Sequence, residues 1–192
     1  MIESVYKAKY NRGLKYLKGA NITLAKVEFE GVLKIHGNSE NAINLLGLCL
    51  YRRGDFKRAK ALWEKSILIN DSKGNRAHEY LNELDREDFR KFVSLYNEGL
   101  DYFNKREYEK CTSCLLKSPV PEMEITTAFN ILGLCSYALG RRGDAAEYWM
   151  KSLELDRGNE EAINYLANCE RAKSKSLSIM ELIKRLLKKY KG

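Results

Sequence analysis

The chain has little punctuation. Of 192 residues only two are proline, Pro119 and Pro121, and they sit together with only Val120 between them. An all-β protein built from many turns needs more breakers than that. Long stretches carry neither Gly nor Pro, which favours helices. No apolar run approaches the roughly 18 residues that a membrane-spanning helix needs. The opening segment MIESVYKAKY has no apolar run of secretory-signal length. Histidines are scarce, with only His36 and His78 at non-equivalent places. There is no HExxH, no GxxxxGK[ST], no GxGxxG and no GxSxG. These absences lead us to expect a chain without catalytic residues, cofactor or metal.

What is present is a sizeable apolar fraction, 44%, enough to bury a core. Five cysteines, Cys49, Cys111, Cys114, Cys135 and Cys169, make an odd number. Together with the missing signal, this predicts free thiols in a soluble, cytoplasmic protein. Cys111-x-x-Cys114 has the spacing of a zinc or redox pair, but no second pair of ligands and no βαβ context accompany it. Both cysteines therefore read as small core residues. The net charge of +8 is uneven. Residues 171–192 carry eight basic residues against Glu181 alone. Residues 1–91 carry 18 basic and 12 acidic, and residues 92–170 carry 8 and 13. A near-neutral, polarised body with a basic end is not the footprint of a general nucleic-acid binder.

The chain repeats itself. Residues 10–17 match 96–103, 44–51 match 130–137, and 63–69 match 149–155, all at a separation of 86. Within each duplicated unit a 34-residue period links Gly13 to Gly47 and Gly99 to Gly133. That period holds two helices and two turns. Ile43, Leu46 and Leu50 lie at helical spacing around Gly47. Arg53-Gly54-Asp55 breaks the helix, and Phe56, Ala59, Leu62, Trp63 and Ile67 give a second amphipathic one. Arg53-Gly54-Asp55 and Arg142-Gly143-Asp144 both read as inter-helix turns rather than adhesive tripeptides.

Leu46-Gly47 followed by Ala59-x-x-x-Trp63, and Leu132-Gly133 followed by Ala145-x-x-x-Trp149, resemble the tetratricopeptide repeat (TPR) pattern. Gly13, Tyr16, Ala25 and Phe29 fit it, as do Gly99, Tyr102, Cys111 and Leu115. The opening large apolar slot is Lys9 in the first repeat, which points to an exposed end. The resemblance implies an all-α fold, a right-handed α-α superhelix of four TPR-like hairpins. The repeats are expected at 6–39, 40–73, 92–121 and 126–159. A lone extra helix, or the front of one long helix, is expected within 74–91, and capping helices within 159–192. The last of these, 177–190, starts with the capping box Ser178-x-x-Glu181 and carries Ile179, Ile183, Leu186 and Tyr190 on one side.

The resemblance also implies a non-catalytic scaffold that holds a peptide segment or partner helix in its concave groove. It places Tyr10, Asn44, Tyr96 and Asn130 there, with Tyr51 and Tyr137 further along and Asn11 and Asn97 at the border. Tyr offers a rigid body with a polar tip, and Asn can donate to and accept from a peptide backbone. The slots with which some family members grip a terminal carboxylate hold Tyr10 and Leu14 here. A second expected surface is basic: Lys184, Arg185, Lys188 and Lys189, suited to an anionic membrane or an acidic partner.

Overall fold

A computed structural model describes residues 2–118 and 124–171. The expected helix at 177–190, its basic residues Lys184, Arg185, Lys188 and Lys189, and both prolines lie outside the described residues. The described residues form ten helices and no strand. They run α1 Ile2–Lys18, α2 Ile22–Ile35, α3 Glu40–Arg52, α4 Phe56–Ile69, α5 Ala77–Asp85, α6 Glu87–Asn104, α7 Tyr108–Lys117, α8 Thr126–Ala138, α9 Arg142–Leu155 and α10 Glu160–Arg171. None is long and apolar enough to cross a membrane. The fold is an all-α superhelix of antiparallel hairpins, with α1–α2, α3–α4, α6–α7 and α8–α9 as the tightly packed pairs.

Each hairpin is seated on the residues that carry the repeat pattern. A Cβ on Gly13 would lie 2.7 Å from Phe29 Cε1, one on Gly47 2.9 Å from Trp63 Cδ1, and one on Gly99 3.1 Å from the Leu115 side chain. On Gly133 it would collide with the Trp149 indole. The missing side chain is thus the space into which the large residue of the second helix packs. Ala25, Ala59, Cys111 and Ala145, four positions before those large residues, are all fully buried.

The hairpin turns share one backbone solution. Ala20, Gly54, Arg106 and Gly140, at equivalent positions, all have positive φ (50°, 83°, 61° and 77°). The next residue's N–H reaches back to the first helix in all four: Asn21 to Tyr16, Asp55 to Leu50, Glu107 to Tyr102 and Arg141 to Ser136, at 2.8–2.9 Å. These are the closing bonds of a Schellman motif, which leaves one residue in the left-handed region. Asn21 and Asp55 then cap the second helix with their side chains, accepting from Leu24 and Arg58 N–H. Arg53-Gly54-Asp55 occupies such a turn. Arg142-Gly143-Asp144 does not: it is the first turn of α9, because the turn closes one residue earlier, at Gly140-Arg141.

Two further features refine the sequence reading. Residues 74–91 hold a lone extra helix, α5, together with the first turn of α6. Arg86, with ψ 144°, breaks the chain between α5 and α6 with no loop, and α6 starts at Glu87 rather than 92. The outer end of the first repeat is covered by charge. Lys9 lies along Gly31, with its Nζ 3.8 Å from Glu28, and Arg12 makes a two-pronged bond to the same carboxylate at 2.9 and 3.1 Å.

A left-handed conformation costs a non-glycine residue about 1–2 kcal/mol. Arg106→Gly should therefore stabilise the chain by about 1 kcal/mol, read as a raised denaturant midpoint. Gly54→Ala should lower it, because the added Cβ also meets the Thr127 hydroxyl.

Candidate binding surface

The groove residues expected from sequence separate into three groups. Asn44, Tyr96 and Asn130 are buried, at 4%, 7% and 3% exposure. The Tyr96 hydroxyl, the Asn130 amide and Asn44 Nδ2 are engaged inside the chain, while Asn44 Oδ1 has no hydrogen-bond partner among the described residues. They leave the candidate set. Asn44 Nδ2 donates to Asn75 Oδ1 at 2.7 Å, and Asn75 Nδ2 in turn donates to Ser66 and to the Asn70 carbonyl. Asn130 and Asn159 exchange bonds at 3.4 Å, and Asn159 Nδ2 donates to Ser152 Oγ at 2.8 Å. Asn75 and Asn159 also accept from Ala77 and Ala162 N–H, capping α5 and α10. Trp63 and Trp149 donate to the carbonyls of Asn44 and Asn130 at 3.1 and 3.3 Å. The asparagines are thus internal joints that fasten each hairpin to the helix that follows it. At Asn75, Asn130 and Asn159 the amide both donates and accepts, which lets one buried side chain satisfy two neighbours. The duplication at a separation of 86 was visible in the sequence, but the partners Ser66, Asn75, Ser152 and Asn159 were missed. Their signal was Asn75 and Asn159 standing just before a helix, where N-caps belong.

Tyr96 faces inward for a different reason. Its ring packs on Phe92 and Phe56, and its hydroxyl donates to Thr127 Oγ1 at 3.3 Å. Burial pushes its phenol above the ordinary value. Tyr10 and Tyr51 are half-buried. Tyr10 sits edge-on to Phe29 with its ring centroid 6.0 Å away. Tyr51 stacks on Phe89 at 5.8 Å and touches Phe56 and Trp63. Tyr51 and Tyr96 therefore meet in one aromatic cluster with Phe56, Phe89 and Phe92, while Tyr10 belongs to a separate cluster in the first repeat. Asn11 and Asn97 are exposed. Tyr137 is 38% exposed while its ring leans on Trp149 at 6.0 Å.

The cysteines are all free and buried. Desolvation pushes the Cys49 thiol up to about 12. Cys111 and Cys135 share a side-chain hydrogen bond, and that bond and burial hold Cys111 well above the ordinary thiol range. Such thiols are protonated and inert as nucleophiles. Among the described residues, no group of His, Cys, Asp and Glu is arranged to hold a metal ion.

No protein-family model matches the chain, and no curated protein is similar to it. Solved structures are. The TPR domain of P58(IPK) superposes with a TM-score of 0.60 at 17% identity, over 95% of this chain and 55% of that one. The chain thus spans little more than half the length of that structure. MamA from MSR-1 matches at 18% identity and TM-score 0.41, over 97% of this chain and 92% of that one. Pseudomonas aeruginosa PilF matches at 21% identity and TM-score 0.35, over 91% and 79%. The last two are too distant in shape to bear on this chain. The first shows the fold: the chain has a TPR architecture, as its repeat pattern implied.

A neutral buried thiol stabilises the folded state below the ordinary thiol value of 9, and that contribution fades as pH rises through about 12. The stability advantage of the wild-type chain over Cys49→Ala should accordingly shrink between pH 9 and pH 12 in denaturant titrations. A constant difference would mean that Cys49 is not desolvated.

Proposed function

We propose that the chain is a non-catalytic scaffold that binds a peptide segment or helix of another protein. Its contact surface includes Tyr137, Asn97 and Asn11, with the half-buried rings of Tyr10 and Tyr51 alongside. The observation that carries this reading is Tyr137. Its counterpart at a separation of 86, Tyr51, is enclosed by Phe56, Trp63 and Phe89, whereas Tyr137 keeps 38% of its surface in solvent. A partly exposed aromatic held against a rigid indole loses little entropy on contact with a partner. Asn11 and Asn97 add amides able to pair with a peptide backbone.

The expected result is that Tyr137→Ala combined with Asn97→Ala weakens capture of protein partners from a lysate about tenfold or more, the usual scale of a binding hot spot, with the melting temperature nearly unchanged. Equal losses of binding and stability would make Tyr137 a packing residue and sink the site.

The sequence supports a second reading. Residues 171–192 carry eight basic residues and one acidic residue, so this segment suits an anionic membrane surface or an acidic protein. Flotation with vesicles of phosphatidylserine and phosphatidylcholine should then show salt-sensitive binding that is lost when Lys184, Arg185, Lys188 and Lys189 are changed to Gln. Absence of binding at low salt removes the membrane version.

A further inference from the structure

Stacked repeats touch only their neighbours. Here the first repeat touches the fourth. Asp156, which follows α9 and is fully buried, accepts from the Thr23 N–H at 3.1 Å and from the Thr23 hydroxyl at 2.8 Å. Arg53, in the turn of the second hairpin, donates to the same hydroxyl at 2.8 Å and stands 3.6 Å from the Asp156 carboxylate. The Arg157 N–H donates to the Ala20 carbonyl at 2.8 Å. A Cβ on Gly158 would lie 2.9 Å from Thr23 Cβ, so the two backbones are in contact. The carboxylate also sits on the first turn of α2, where the helix dipole favours a negative charge.

None of the three side chains is inherited from the duplication. At a separation of 86 the counterparts of Thr23, Arg53 and Asp156 are Glu109, Leu139 and Asn70. The contact therefore belongs to the joined chain and not to either unit.

The apolar contacts between the two units lie elsewhere. Tyr51 and Phe56 from the first unit pack on Phe89, Phe92 and Tyr96 of α6. This cluster begins three residues after the single-residue break at Arg86. At the Asp156 contact, by contrast, the apolar cluster of the first repeat and that of α9 and α10 are separate. One end of the interface is greasy and adjoins the break, and the other is polar.

We infer that Thr23, Arg53 and Asp156 form a latch that holds the superhelix closed, and that its release lets the first two hairpins swing away about Arg86 with the aromatic cluster as the bearing. A small polar contact with no apolar cluster across it belongs to the low-stability end of a protein's opening spectrum. The closed form sets the width of the concave face, so the latch governs what size of segment can enter. The claim concerns the conformation of the chain and stands or falls without the groove assignment.

The test uses the full chain with Asp156→Asn and, separately, Arg53→Met. Small-angle scattering should show a larger maximum dimension for both variants with helical circular dichroism unchanged. Amide exchange at Arg157 should become about tenfold faster or more, the ratio that loss of a hydrogen bond to a charged group implies. Folded variants whose scattering and Arg157 exchange match the wild type overturn the latch, since the aromatic cluster and the bonds from Thr126 and Thr127 to the Arg52 and Arg53 carbonyls would then hold the units. If Asp156→Asn loses helix, Arg53→Met decides. Its side chain is 36% exposed, so the substitution leaves the core intact, and an unchanged profile refutes the proposal.

Discussion

The close approach of two helices at a glycine underlies the structure. At Gly47 and Gly133 the first helix of the hairpin gives up a side chain and the indole of Trp63 or Trp149 occupies the space. The consequence reaches further than packing. Because the indole lies flat against the first helix, its N–H meets the carbonyl of Asn44 or Asn130. The same residue's amide then extends to the asparagine that caps the next helix. One absent side chain thus fixes the hairpin, the buried amide and the start of the following helix. Each buried polar atom in such a chain is costly if left without its partner, so the joints specify one stacking geometry.

The repeats that lack this device are held differently. In the first and third hairpins the glycine faces Phe29 and Leu115, and the asparagine slot holds Tyr10 and Tyr96. Without an amide to hand on, these hairpins rely on rings. Tyr96 joins the aromatic cluster between the units, and Tyr10 closes the first repeat beneath a surface of Lys9, Arg12 and Glu28. The alternation has a structural logic. Hairpins followed by a lone helix carry the tryptophan and asparagine joint, and hairpins followed by another hairpin do not.

Three of the groove residues expected from sequence, Asn44, Asn130 and Tyr96, are buried, the asparagines by amide joints and the tyrosine by an aromatic cluster. Asn44 and Asn130 were placed on a groove by their position in the repeat, and Tyr96 by the same rule. Position in a repeat fixes the direction of a side chain from its helix but not what the neighbouring chain puts there. Helix α6 begins directly after Arg86 and brings Phe89 and Phe92 against the turn of the second hairpin. That encloses Tyr51 and Tyr96, whereas Tyr137, with no later hairpin of this kind behind it among the described residues, stays partly in solvent.

The sequence by itself determined an all-α chain and the glycine, alanine and large-residue positions at which its hairpins close, but not the break at Arg86 or the helical start at Arg142. The hairpins depend on contacts within 34 residues, where glycine, alanine and a large apolar residue recur at fixed spacing. It also determined that the thiols are core residues, since Cys111 stands in an alanine slot. Only the tertiary structure decided how the two units meet. Thr23 and Asp156 are 133 residues apart, and no periodicity links them. Local pattern reports what a helix must bury; it does not report which distant backbone arrives to be bonded.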